Sequence, residues 1–277
     1  MHEATSEPGS PGLATVDRTS DAARQGALDI LREIVRGGVA GLIVGVLVAG
    51  IGGRLVMRLA ALLVPAADGA FTENGNRIGD ITLEGTLALV LFVGLFFGTL
   101  MGSLWVTVAP WLPRARPARV VAVIPLALGL GTMGLIEPHN PDFRILGRDP
   151  LVVASLLGLV ALVGPMLVVV DHWLDRHLPR PRANDRRTIG VYAAIAAIGL
   201  LLTVLGTVPA YLGPRAFPVG VALLATGIAT LAWWAARARG MDAAPWVRGL
   251  GRIGVVAVVV AGFAISVPDV LRVLGLR

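Results

Sequence analysis

Two arginines set the chemical question. Arg54 and Arg58 stand one helical turn apart beside an apolar run, and two planar guanidiniums so spaced form a clamp for a carboxylate, a phosphate or a lipid headgroup. Snorkelling of both side chains to the headgroups would use the same residues. The connection that follows, residues 65–82, carries Asp68, Glu73, Asn74, Asn76, Arg77 and Asp80, and Glu84 opens the next apolar run. A carboxylate there is favoured by the helix dipole. A later connection begins Glu137, Pro138, His139, Asn140, Pro141, Asp142. Its oxygens and imidazole could hold a divalent cation, but a lone histidine is a thin ligand set, and ion pairs to Arg54, Arg58 or Arg77 explain the same residues. These features predict a ligand-binding surface of Arg54, Arg58, Glu84, Glu137, His139 and Asp142, with no catalytic residue, no metal ligand and no cofactor. A second polar knot, Asp171, His172, Trp173, Asp175, Arg176 and His177, reads as a helix leaving lipid into a basic loop at anionic headgroups.

Much chemistry is excluded. All 24 basic residues are arginine, so no Schiff base or P-loop lysine is available. There is no cysteine, hence no disulfide and no thiolate nucleophile. No His-Glu-x-x-His or Gly-x-Ser-x-Gly motif occurs. The apolar runs hold no Asp, Glu, His or Arg at their centres, only hydroxyls such as Thr99, Thr107, Thr132, Ser155, Thr203, Thr226 and Thr230. Such hydroxyls bond back to their own helix or across to a neighbour. An ion-driven pump is disfavoured on this ground. The expected role is a non-enzymatic membrane subunit with an extracytoplasmic surface for an anion, lipid or partner. The alternative is a passive solute path along the Thr and Gly faces of segments two to four.

The elements that must position these residues follow from apolar run lengths. Hydrophobic residues make up 55% of the chain and charged residues 15%. A helix needs about 20 apolar residues to cross a bilayer. Seven charge-poor runs qualify or nearly do: Gly37 to Gly53, Gly85 to Pro113, Val120 to Ile136, Pro150 to Val170, Thr188 to Pro214, Ala216 to Ala236 and Ile253 to Pro268. The expected fold is an all-α polytopic transmembrane bundle of about seven helices, amino terminus inside and carboxyl terminus outside. With that orientation sixteen arginines fall on the cytoplasmic side and eight on the other, as the positive-inside rule requires. All six tryptophans also fall near the predicted cytoplasmic boundary, where indoles anchor at headgroups.

Residues 1–20 read as a disordered cytoplasmic tail, residues 21–36 as an amphipathic surface helix with Leu28, Leu31 and Val35 on one side, and residues 37–277 as the seven-helix membrane domain. Gly37, Gly41, Gly45, Ala49 and Gly53 form a ladder at four-residue spacing, matched by Gly94, Gly98 and Gly102. Stripes of this kind permit close helix packing, within one chain or in a homo-oligomer. The expected partners are the lipid bilayer, with anionic lipids at the cytoplasmic Arg-rich loops, and no nucleic acid.

The stretches GGRLVMRLAALLVP (52–65), FTENGNRIGDITLEGT (71–86) and PHNPDFRILG (138–147) resemble a family of multi-pass proteins from high-GC bacteria that has no assigned activity. The resemblance covers about the first 170 residues. It implies a bacterial cytoplasmic (inner) membrane location and recognisable features in the outer loops, and lends no mechanism.

Overall fold

A computed structural model describes residues 11–71, 78–79, 83–137 and 149–276. Every long element among them is helical. The first rod is continuous from α1 (Pro11–Val44) through a π-helical stretch (Gly45–Gly52) into α2 (Gly53–Leu63). The second joins α3 (Leu83–Ala88), a π-helical stretch (Leu89–Leu95) and α4 (Phe96–Val108). Five single helices follow: α5 (Arg116–Leu135), α6 (Pro150–His177), α7 (Arg186–Leu212), α8 (Phe217–Ala238) and α9 (Pro245–Val273). Six helical stretches, all but the second rod, are long and apolar enough to cross a membrane. The second rod is interrupted by its π turns, yet its helical backbone runs unbroken from Leu83 to Val108, about 39 Å at 1.5 Å per residue.

Large apolar side chains lie exposed along these helices, Leu62, Val121, Leu151, Leu200, Leu224 and Ile253 among them. An apolar surface of that extent is tolerable only against lipid. The chain is a multi-pass membrane helix bundle.

Two expectations are revised at the amino-terminal end. Pro11 to Ser20 belong to α1 rather than to a disordered tail, and residues 1–10 lie outside the described residues. Nor does a separate surface helix end at Arg36, since α1 continues through it without a break. The reason is packing: Leu28 and Val35, expected to face headgroups, are buried against the protein. The rod from Asp21 to Leu63 has 43 residues, about 65 Å of helix and twice the hydrocarbon thickness. Its amino-terminal turns must therefore project beyond the lipid.

Small residues set the crossings. A Cβ on Gly98 would come within 2.9 Å of the Gly41 carbonyl, and one on Gly102 within 2.9 Å of the Gly37 carbonyl. Side chains added at Gly41 or Gly45 would land on the facing backbone of Gly98 and Gly102 or of Gly94 and Gly98. The two ladders thus pack against each other within the chain. Lipid supplies no hydrophobic drive for helices to associate, so close backbone approach must supply the attraction. The same device recurs where Gly129 of α5 meets Gly262 of α9, and where Gly164 of α6 meets the Val123 carbonyl. The paired π turns had no clear signature in the sequence; both lie on the glycine-contacted rods, with Gly45 and Gly94 facing across the seam.

The hydroxyls behave as expected. Thr99, Ser103, Thr107 and Thr226 each donate to the carbonyl four residues back. Thr99 and Thr132, the residues expected to line a passive path, are both buried. Trp111 donates its indole N–H to Thr230 Oγ1 at 2.9 Å, and Thr230 in turn reaches the Thr107 carbonyl at 2.7 Å. Trp105 and Trp111 are consequently interior residues, not headgroup anchors, whereas Trp173 and Trp246 remain exposed. Helix α7 starts at Asp185, whose carboxylate accepts from the Thr188 hydroxyl at 2.6 Å and the Thr188 amide at 3.1 Å. Those bonds, the hydroxyl's first, hold the Asp185 carboxyl below the usual range.

Candidate functional site

At the carboxyl-terminal end of the first rod, helix α2 carries Arg54 and Arg58 on one face, as spacing requires. Their environments differ. Arg54 is only 4% exposed, so it is enclosed by protein rather than snorkelling into headgroups. It stands about 25 Å along the helix from Gly37. Arg58 is exposed at the rim, and its Nη1 donates to the Gly79 carbonyl at 2.6 Å.

That bond fastens the first outer connection onto the helix end. Around it, Gly69 N–H donates to the Ile78 carbonyl at 2.9 Å and Ile78 N–H to the Ala70 carbonyl at 2.8 Å. Ile78 is buried with Ala61 and Ala67. Gly79 has φ +90°, and a Cβ there would collide with the Asp68 carboxylate; glycine alone fits without strain.

Glu137, one of the carboxylates expected near the arginine pair, meets Arg215 at 3.2 Å. Arg215 also pairs with Asp269, which Arg272 approaches at 3.4 Å. Asp269 is 5% exposed, and this network ties the ends of α5 and α9 to the α7–α8 connection. The reason lies in topology: α5 packs against α9 through Gly129 and Gly262, which carries Glu137 toward the last helix and away from the first. Glu84 is in the first turn of α3. His139 and Asp142, like Arg77, lie outside the described residues. Among the described residues no three His, Asp or Glu side chains converge as a metal site would require.

The opposite end holds a denser construction. Arg32 and Arg36 are one turn apart on α1, and Asp171 and Asp175 one turn apart on α6. The helices lie side by side, so the two pairs interleave. Arg36 Nε donates to Asp171 at 2.8 Å and its Nη1 to Asp175 at 2.6 Å, while Arg32 Nη1 reaches Asp175 at 2.8 Å. Arg32 Nη2 also caps the end of α6, bonding the Asp175 carbonyl at 2.6 Å and the Leu178 carbonyl at 3.1 Å. Cations at a helix carboxyl end satisfy its free carbonyls and dipole. Beside them Arg237 of α8 binds both Glu33 oxygens, at 2.7 and 3.0 Å, and stacks over Trp233.

The polar knot at the end of α6 is also an intramolecular seam. Asp171 and Asp175 bind arginines of the same chain. The matching four-residue spacings, Arg32 with Arg36 and Asp171 with Asp175, were the signal in the sequence.

The architecture defines a class, the all-α multi-pass membrane bundles. Comparison with protein-family models, curated proteins and solved structures finds no match, so function must be argued from the two charged ends.

Proposed function

We propose that the chain is a non-enzymatic, seven-pass subunit of a bacterial cytoplasmic membrane, amino terminus inside, whose extracytoplasmic surface binds an anionic ligand, lipid or partner. The observation that supports this reading is the burial of Arg54. Anchoring alone would leave the guanidinium among headgroups, whereas protein around it fixes the direction of its planar fork. Arg58 stands one turn further out, with the 65–79 connection folded over the helix end. The surface proposed with them also includes Glu84, His139 and Asp142, whereas Glu137 is engaged by Arg215.

The test compares Arg54→Gln and Arg58→Gln in protein reconstituted into phosphatidylcholine vesicles with and without phosphatidylglycerol. The reading expects the anionic lipid to raise the unfolding temperature of the parent chain and the gain to shrink in both variants. An equal gain in all three proteins sinks it.

Orientation has its own test. The chain contains no cysteine, so one introduced cysteine is a unique label. A membrane-impermeant maleimide applied to intact inverted vesicles should modify Asp242→Cys and leave Phe71→Cys untouched; right-side-out spheroplasts should give the reverse. The opposite pattern would overturn the assigned topology.

A further inference from the structure

The projecting turns of α1, the end of α6 and the end of α8 enclose a cavity of about 360 Å³ whose lining includes Arg32, Arg36, Arg180 and Arg237. Three carboxylates share the lining, Asp29, Glu33 and Asp175, and each has a partner. Asp175 takes Arg32 and Arg36, Glu33 takes Arg237, and Asp29 accepts the Gln25 amide at 3.2 Å. Among the described residues Arg180 donates to nothing. One guanidinium is left over.

The backbone that bears it is fixed, and the Arg180 side chain itself is exposed at the cavity. The connection bearing it, residues 178–185, is pinned at three carbonyls: Leu178 by Arg32, Pro179 by the Tyr192 hydroxyl at 2.9 Å, and Ala183 by Arg24 at 2.8 Å. Pro179 and Pro181 flank Arg180 with fixed φ, and Pro181 is fully buried. Rigid backbone around an unpaired cation is preorganisation, which lowers the ordering cost of binding.

We propose that this cavity, distinct from the surface around Arg54 and independent of it, is a binding site for a phosphate group, with Arg180 as its principal ligand. Planar guanidinium forks match phosphate oxygens, and a charge-assisted bond is strongest where the cation has no competing carboxylate. Arg36 marks the level at which α1 enters lipid, while Gln25 is about 16 Å further out along the helix. The cavity therefore opens at a height that both a lipid headgroup phosphate and a soluble phosphate can reach.

The experiment uses the full chain in neutral detergent and phosphate-free buffer, following thermal unfolding as inorganic phosphate is titrated at constant ionic strength. A parallel arm titrates phosphatidylglycerol into phosphatidylcholine vesicles carrying the protein. Arg180→Gln is compared with the parent and with Arg187→Gln, an exposed change of equal charge outside the cavity. The site predicts a midpoint raised about tenfold or more in Arg180→Gln and unchanged in Arg187→Gln. A shift in the phosphate arm identifies a soluble phosphate; a shift confined to the vesicle arm identifies a lipid headgroup. If Arg180→Gln and Arg187→Gln coincide in both arms, the proposal is overturned. Because Arg180 bonds no protein group, its loss leaves the fold intact, and size-exclusion elution at the parent volume checks this.

Discussion

Gly41→Ala should lower the unfolding free energy by about 3 kcal/mol or more, the upper range for overpacking a tight interior, although the change adds a single methyl group. In most helices that substitution stabilises, by up to about 1 kcal/mol, through lost chain entropy in the unfolded state. Here the new Cβ falls on the backbone of Gly98 and Gly102. A flexible side chain could turn aside, but a helix backbone can yield only by moving the whole helix. Separating α1 from α4 would also strip the π-helical stretches of their mutual contact, since a Cβ at Gly45 or Gly94 meets the opposing rod in the same way. Gly38 supplies the control, because its Cβ would meet nothing within 4 Å. Gly38→Ala, three positions earlier on the same helix, should be neutral or slightly stabilising because its Cβ points into open space. Thermal unfolding in detergent, read by intrinsic tryptophan fluorescence, compares the two. Equal stability of both variants would show that the ladder is not a packing seam.

The contrast between those glycines explains which parts of the fold could be read in the sequence. Crossings are legible because hydrocarbon imposes a minimum run of apolar residues, and each expected segment lies largely within an observed helical rod. The ladder was legible because four-residue spacing of small residues has one geometric consequence, a smooth helix face. Boundaries were not: α1 extends well beyond Arg36 because Leu28 and Val35 found protein to pack against, and an amphipathic pattern looks the same whether its apolar side meets headgroups or another helix. The outer site was half legible. Arg54 and Arg58 share a face as their spacing demanded, yet Glu137 pairs with Arg215, because the partner of a loop carboxylate depends on which helices are neighbours in space. Tryptophan position misled in the same way. Trp105 and Trp111 sit at the depth expected of headgroup anchors, but Thr230 meets the Trp111 indole inside the bundle.

Arg36→Met should cost about 3 kcal/mol, the range for removing one partner of a buried ion pair. Arg36 is the guanidinium that contacts Asp171, whose side chain is 8% exposed. Without it a carboxylate stays in a site that water scarcely reaches. Arg119, another cation acting on Asp171, softens the loss but makes no bond to it among the described residues. Asp175 loses less, being nearly half exposed and still held by Arg32, so solvent screening leaves its share small. The penalty is chiefly that of an orphaned charge, and it predicts a rescue: adding Asp171→Leu should recover most of the stability, because an apolar pair can replace a buried ion pair at little cost. Unfolding of the two single variants and the double variant measures the coupling directly. Had the knot been made of headgroup contacts alone, lipid would hydrate each charge independently and the two substitutions would add. Strong non-additivity is the signature of a protein-enclosed pair, and it would identify the α1–α6 seam as the rigid support of the connection that bears Arg180.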